Sequence, residues 1–247
     1  MNQSLRTGCA LIAFSPSFFI LVMLLSKRPQ LVIVALGSAF SWLISGLVTS
    51  LSWMIASNIF NGGVWPIVIL ISSISQELFR FIFVMAYRRT EKIIKASSAR
   101  SAEVFPLNDV SSSIAAGVGF GTMHSLMMYG ALLAASGGKG VIFVDSASSI
   151  PLILVGAIIS LLFCILDVYL MCFAFMAEKL RSKSLTTFIF LTHLIMSIVT
   201  LLNQNPSGCY TSIPILFALI VIVGLFLSWM WPIMMLGVLK SPSRLYH

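Results

Sequence analysis

The chain reads as an all-α, polytopic membrane protein: one integral-membrane domain over residues 1–247, with seven transmembrane helices in a single bundle. Three observations predict it. Hydrophobic residues make up 59% of the 247 and charged residues 9%, too little charge to cover a water-soluble surface. The apolar runs are long and unbroken rather than alternating with period two. In lipid, where backbone groups must bond internally, that selects helices over a closed barrel. Finally, twelve of the fifteen Lys and Arg residues fall in alternate gaps between those runs.

The seven helices are expected at about 7–25, 31–57, 64–87, 110–135, 150–177, 184–202 and 212–239. Each is close to the ~20 residues that cross a hydrocarbon core, and the longer ones imply tilt or extension into the headgroups. The first run has little positive charge before it and no small-residue cleavage site after it, so it reads as a retained helix, not a signal peptide. The gap after it carries Lys27 and Arg28. Helices two and three are joined by a gap with no basic residue. Several of Trp42, Trp53, Trp65, Trp229 and Trp231 fall near helix ends, where indole favours the interface. The stretch 88–109 carries Arg88, Arg89, Lys92, Lys95 and Arg100. Within it Glu91 to Lys95 can extend the third helix, and Asn108 or Asp109 can cap the fourth. The gap 136–149 holds Lys139 alone. Its Ser136-Gly137-Gly138-Lys139-Gly140 lacks the spacing of a phosphate loop. Lys179, Arg181 and Lys183 precede helix six, and Lys240 and Arg244 follow helix seven. Arg6 and Arg80 complete the set.

Cytoplasmic loops carry the positive excess. The basic gaps and the tail are therefore expected in the cytosol, and the N-terminus in the lumen or outside. The net charge of +8 is accounted for by loops facing an anionic leaflet. No basic patch with interleaved aromatics points to nucleic acid. The four cysteines form no C-x-x-C pair, and a single bridge between Cys9 and Cys209 is the one disulfide left open. Asn2-Gln3-Ser4 is a formal glycosylation acceptor close to the terminus. The halves of the chain do not match, which weakens an inverted-repeat transporter.

Five ionisable residues fall inside spans: Glu77, Arg80, His124, Asp167 and His193. Each costs about 2.5–3.5 kcal/mol at a helix centre on insertion scales and so requires a partner or a use. Glu77 and Arg80 are three apart on one helical face, extended by Ser72, Ser73 and Gln76. One reading is an internal ion pair with Arg80 reaching toward the headgroups. The other is a polar face that docks a helix or lines a wet cavity. Ser113, Gly117, Gly121 and Ser125 recur every four residues. This small-residue seam allows close helix approach, either within the bundle or with another subunit. His124 lies near it and is expected to bond a neighbouring carbonyl. Asp167 and His193, on adjacent helices, are expected to form an interhelical bond or to line a cavity.

Catalytic patterns are missing. An intramembrane aspartyl protease needs two facing aspartates, and only Asp167 is embedded. There is no G-x-S-x-G and no H-E-x-x-H, so neither an activated serine nor a metal site is expected, and no cofactor is implied. A polar path through Glu77, Arg80, Asp167 and His193 leaves a small transporter or proton-linked channel as the alternative function.

Several stretches resemble one family. Gly8-Cys9 with Ala13-Phe14-Ser15-Pro16-Ser17-Phe18 is similar to the opening of the anterior-pharynx-defective (aph) family, the scaffold subunit of gamma-secretase. Phe40-Ser41-Trp42-Leu43-Ile44-Ser45 with Trp53 resembles its second helix. Gln76-Glu77-Leu78-Phe79-Arg80-Phe81 is the most specific match. Gly117 and Gly121 match the first two positions of the family's glycine ladder, with Ser125 in place of the third. Thr192-His193-Leu194, Leu202-Asn203 and Pro214 match further on. The family carries histidines on helices five and six; His193 fits the second, while Asp167 stands at the first. The resemblance implies seven spans with a lumenal N-terminus and a cytosolic tail. It implies a non-catalytic scaffold in the endoplasmic reticulum, Golgi and plasma membrane, assembled with nicastrin, presenilin and the presenilin-enhancer subunit. Such a complex cuts single-pass proteins such as Notch and amyloid precursor protein. The seam Ser113, Gly117, Gly121, Ser125 is then expected to dock helices. Gln76, Glu77, Arg80, His124, Asp167 and His193 are expected to line a polar cavity for a presenilin segment.

Overall fold

The computed structural model describes residues 3–25, 28–59, 65–98, 108–136, 142–144 and 147–239. Asn2, Lys27, Arg100, Lys139, Lys240 and Arg244 lie outside them, as does most of the stretch from Ser136 to Gly140. Seven helices are long and apolar enough to cross a membrane. They are α1 (Gln3–Ile20), α2 (Pro29–Ile59), α3 (Trp65–Ser98), α4 (Asp109–Ala135), α5 (Leu152–Leu180), α6 (Lys183–Val199) and α7 (Gly208–Leu239). A wider π-helical turn, Leu21–Leu25, ends the first span.

Local chemistry sets the boundaries. Pro29 opens α2, where its missing N–H is no loss. Helix α3 runs to Ser98, and Glu91 supports the extension by pairing with Arg88 at 3.1 Å and Lys95 at 2.7 Å. Asn108, not Asp109, caps α4: its side chain accepts from the Val110 N–H at 3.1 Å. Helix α5 stops at Arg181, in the left-handed region at φ 51°, with Ser182 N–H donating to the Ala177 carbonyl. Ser182 then caps α6. Helix α6 is shorter than expected because a 3₁₀ turn, Thr200–Gln204, closes it. Ser207 turns the chain at φ 62°, and Gly208 starts α7 four residues before the expected 212. A Cβ at Gly208 would overlap the Leu202 carbonyl, so the turn demands glycine.

The gap between α4 and α5 holds an unanticipated antiparallel pair, β1 (Phe143–Val144) and β2 (Ala147–Pro151). The strands are too short to show a period in sequence. All four cysteines are buried and none is in a disulfide, so the Cys9–Cys209 bridge does not form.

Helix α4 sits against α1, α2 and α5, and α5 contacts α6 and α7 as well. These two central helices read differently. Leu166, Leu170, Phe173 and Phe175 fill the core from α5, while α4 contributes Ala115, Ala116, Gly117, Gly119 and Gly121. Small residues let α4 backbone approach neighbours on both sides. At one end, Arg88 of α3 binds Asp109 of α4 at 2.5 Å and Glu178 of α5 at 2.9 Å, and Lys179 reaches Asp109 at 2.8 Å. The 88–109 and 178–183 gaps therefore share one end of the bundle.

Candidate functional site

Arg80 is the hub. Its side chain is completely buried and does not reach toward headgroups, contrary to the snorkelling expectation. Its Nε donates to Glu77 Oε2 at 3.0 Å, its Nη2 to Asp167 Oδ1 at 2.6 Å, and its Nη1 to the Asp167 backbone carbonyl at 3.1 Å. The guanidinium lies 4.3 Å from the centroid of Phe120. A planar fork with five donors suits this role, because several acceptors meet one charge.

Each carboxylate has a second partner. Glu77 Oε1 lies 2.5 Å from Nδ1 of His193 on α6. Asp167 Oδ2 lies 2.7 Å from Nδ1 of His124 on α4. Two expectations are corrected here. Asp167 and His193 do not bond each other, and His124 bonds a carboxylate rather than a carbonyl. The physical reason is Arg80: its charge draws Asp167 onto α3, leaving His193 to the free oxygen of Glu77. Phe163 packs edge-on against both imidazoles, with centroids 5.4 Å and 6.3 Å away.

Helix α2 joins through Trp42, which is buried rather than at an interface. Its ring stacks on His124 at 5.0 Å, and its Nε1 donates to Gln76 Oε1 at 3.3 Å. Gln76 in turn donates to Ser72 at 3.0 Å. Phe120 does not stand out in sequence, because an aromatic on an apolar helix carries no distinguishing signal, and the resemblance that picks out Trp42 does not reveal that it stacks on His124. Ser73, part of the same stripe, is buried, and its hydroxyl has no hydrogen-bond partner among the described residues. Beside the network lies a cavity of about 520 Å³, whose lining includes Trp42, Gln76, His124, Phe163 and His193. Arg80, Glu77 and Asp167 stand behind it, not in its wall.

The seam is filled from within the chain. A Cβ on Gly117 would come to 2.6 Å from Val168 Cα, and one on Gly121 to 2.9 Å from the Cys164 carbonyl. Ser113 Oγ donates to Cys172 Sγ at 3.6 Å, and Ser125 Oγ to the Ser160 carbonyl at 3.2 Å. All four ladder residues therefore face α5. Sequence reasoning missed Gly119, which is off the four-residue ladder. A Cβ there would overlap the Ala35 carbonyl of α2, and nearby Ser38 Oγ donates to the Ala116 carbonyl at 2.6 Å.

Two carboxylates that share a guanidinium, each bonded to a histidine, are fully engaged in holding helices. This fold and site define a multi-pass integral membrane protein with an ionic crosslink at its core. The chain belongs to the Aph-1 family: the model of the Aph-1 protein matches residues 5–232. A gamma-secretase subunit APH1-like from Arabidopsis thaliana is 28% identical over 225 residues, covering 88% of each chain. Human gamma-secretase subunit APH-1B is 26% identical over 211 residues, covering 83% of this chain and 80% of the relative. The Drosophila melanogaster gamma-secretase subunit Aph-1 is 28% identical over 208 residues, covering 80% and 81%.

Proposed function

We propose that this chain is the non-catalytic scaffold and stabilising subunit of a gamma-secretase complex. It assembles with presenilin, nicastrin and the presenilin-enhancer subunit in endoplasmic reticulum, Golgi and plasma membranes. Through presenilin the complex cleaves single-pass proteins of the Notch and amyloid-precursor type. The N-terminus is lumenal and the tail cytosolic.

One observation carries the non-catalytic reading. A shared proton between two close carboxylates is what aspartyl proteolysis requires. Here Glu77 and Asp167 meet across Arg80 instead, at 3.0 Å and 2.6 Å. Each carboxylate accepts from the same guanidinium, so the two are not placed to share a proton between them. The relatives' names support membership of the complex. The cavity beside His124 and His193 suits a segment of presenilin, and the ionic crosslink behind it fixes the helices that carry its lining.

Affinity capture of the tagged chain in mild detergent tests this reading. Nicastrin-like and presenilin-like partners are expected in the eluate. Recovery of the chain alone, under conditions that keep a known gamma-secretase intact, rejects it. Proton flux through liposomes holding only this chain would favour the channel alternative instead.

A further inference from the structure

The bundle contains two helix pairs, each bonded along its length. Between α2 and α3, Ser41 Oγ donates to the Phe79 carbonyl at 2.9 Å and Ser75 Oγ to the Ser45 carbonyl at 3.3 Å. Farther from Arg88, the Trp53 and Trp65 rings of the same pair meet at 4.6 Å. Between α4 and α5 the close approach runs on past Gly121: a Cβ on Gly156 would come to 2.6 Å from Leu132 Cδ2. Bonds from one pair to the other are confined to one half of the bundle. Among the described residues they join Ser38 to Ala116, Arg80 to Asp167, Tyr87 to Ser112, and Arg88 to Asp109 and Glu178. The half remote from Arg88 has none.

That remote half contains the cavity. Its exposed lining residues are Leu47 and Ser50 of α2 and Met127 and Met128 of α4, so its mouth opens between the two pairs. No hydrogen bond among the described residues crosses the mouth: Thr49 and Ser50 donate to the Ser45 and Gly46 carbonyls of their own helix. The ring contact of Trp42 with His124 joins the lining residues nearest Ser38 and Gly119. Behind it the pairs meet backbone to backbone. A Cβ on Gly119 would overlap the Ala35 carbonyl, and Ser38 Oγ donates to the carbonyls of Ala35 at 2.9 Å and Ala116 at 2.6 Å. Such a bearing has no interlocked side chains to repack when the helices tilt, unlike an interdigitated core.

We propose that α2–α3 and α4–α5 are the jaws of a clamp, which pivots where Gly119 meets Ala35 and Ser38 and admits its occupant sideways between Leu47 and Met127. The ionic links lie at or behind the pivot, so the jaws part without breaking them. Met127 and Met128, flexible and unbranched, fit the moving rim to what enters. A tilt of about 10° moves Met54, about 24 Å along α2 from Ser38, by about 4 Å. The identity of the occupant, a presenilin segment, rests on the function proposed above. The pivot belongs to the chain itself.

The test measures distances between spin labels on the full chain in nanodiscs, alone and in the purified complex. One pair, Met54→Cys/Ala131→Cys, spans the tips of the jaws, and another, Leu36→Cys/Leu180→Cys, spans their base; all four positions are exposed, and the native cysteines are buried. The tip distances are expected to be broad in the isolated chain and to narrow and shift by about 4 Å in the complex, as the lever arm requires. The base distances are expected to stay fixed. A tip pair as narrow as the base pair and unmoved by the complex overturns the clamp, and so does a base pair that shifts with the tip. Broad tip distances in a chain that captures no presenilin sustain the clamp and reject the occupant. Bridging Leu47→Cys to Met127→Cys with a short bis-thiosulfonate is expected to abolish presenilin capture, and reduction to restore it. Undiminished capture by the bridged chain, or a loss that reduction does not reverse, overturns the mouth as the entrance.

Discussion

Arg80 Nη2 lies 2.6 Å from Asp167 Oδ1, joining α3 to α5 across 87 positions of sequence with both side chains out of solvent. Burying two charges costs several kcal/mol each, which their attraction offsets only with good geometry and further hydrogen bonds. Both conditions are met: Asp167 also bonds His124, and Arg80 also bonds Glu77. Breaking the pair from one side therefore differs sharply from removing it.

Asp167→Ala leaves Arg80 and His124 without their shared partner. The expected loss of stability is about 3–5 kcal/mol, read as the denaturation midpoint of the purified chain in detergent. The triple variant Glu77→Gln/Arg80→Met/Asp167→Leu removes the guanidinium together with both carboxylates it serves and is expected to recover most of that loss. A triple variant no more stable than Asp167→Ala would show that the ionic network is not the origin of the effect.

Much of this was legible in sequence, for identifiable reasons. Helices were found because apolar runs of span length contrast sharply with basic gaps. The Glu77–Arg80 pair follows from its three-residue spacing on one helix. Partners across helices were not legible. Nothing in the spacing of Asp167 and His193 reveals that Arg80 captures the first and Glu77 the second, because that depends on how three helices are rotated. Gly119 was overlooked for a related reason. The ladder Gly117, Gly121 marks one face of α4, but α4 packs closely on two.

The glycine faces lead to a second prediction. Gly117→Leu and Gly121→Leu push side chains into α5 backbone at Val168 and Cys164. Overpacking of this kind costs about 1–3 kcal/mol or more. Folded yield of the chain expressed without partners is expected to fall in both variants. Normal yield alone, with assembly lost, would instead place a partner helix on this seam.

Topology yields a third. Arg88 binds Asp109 and Glu178, so the ends of α3 and α5 and the start of α4 lie together. With the positive excess on that side, it is expected in the cytosol. An N-terminal tag should be protected from protease in sealed, cytosol-out membranes, and a C-terminal tag should be cut. Two tags with the same accessibility would rule out an odd number of crossings.

The central claim is that the buried charges build a scaffold for a protease held elsewhere. Its most direct test is recovery of intramembrane cleavage of a single-pass reporter in cells deleted for their own Aph-1 chain. Expression of this chain is expected to restore cleavage and the accumulation of presenilin, and Asp167→Ala is expected to restore neither. Cleavage that stays absent while this chain accumulates in those membranes to the level of the deleted one would contradict the account.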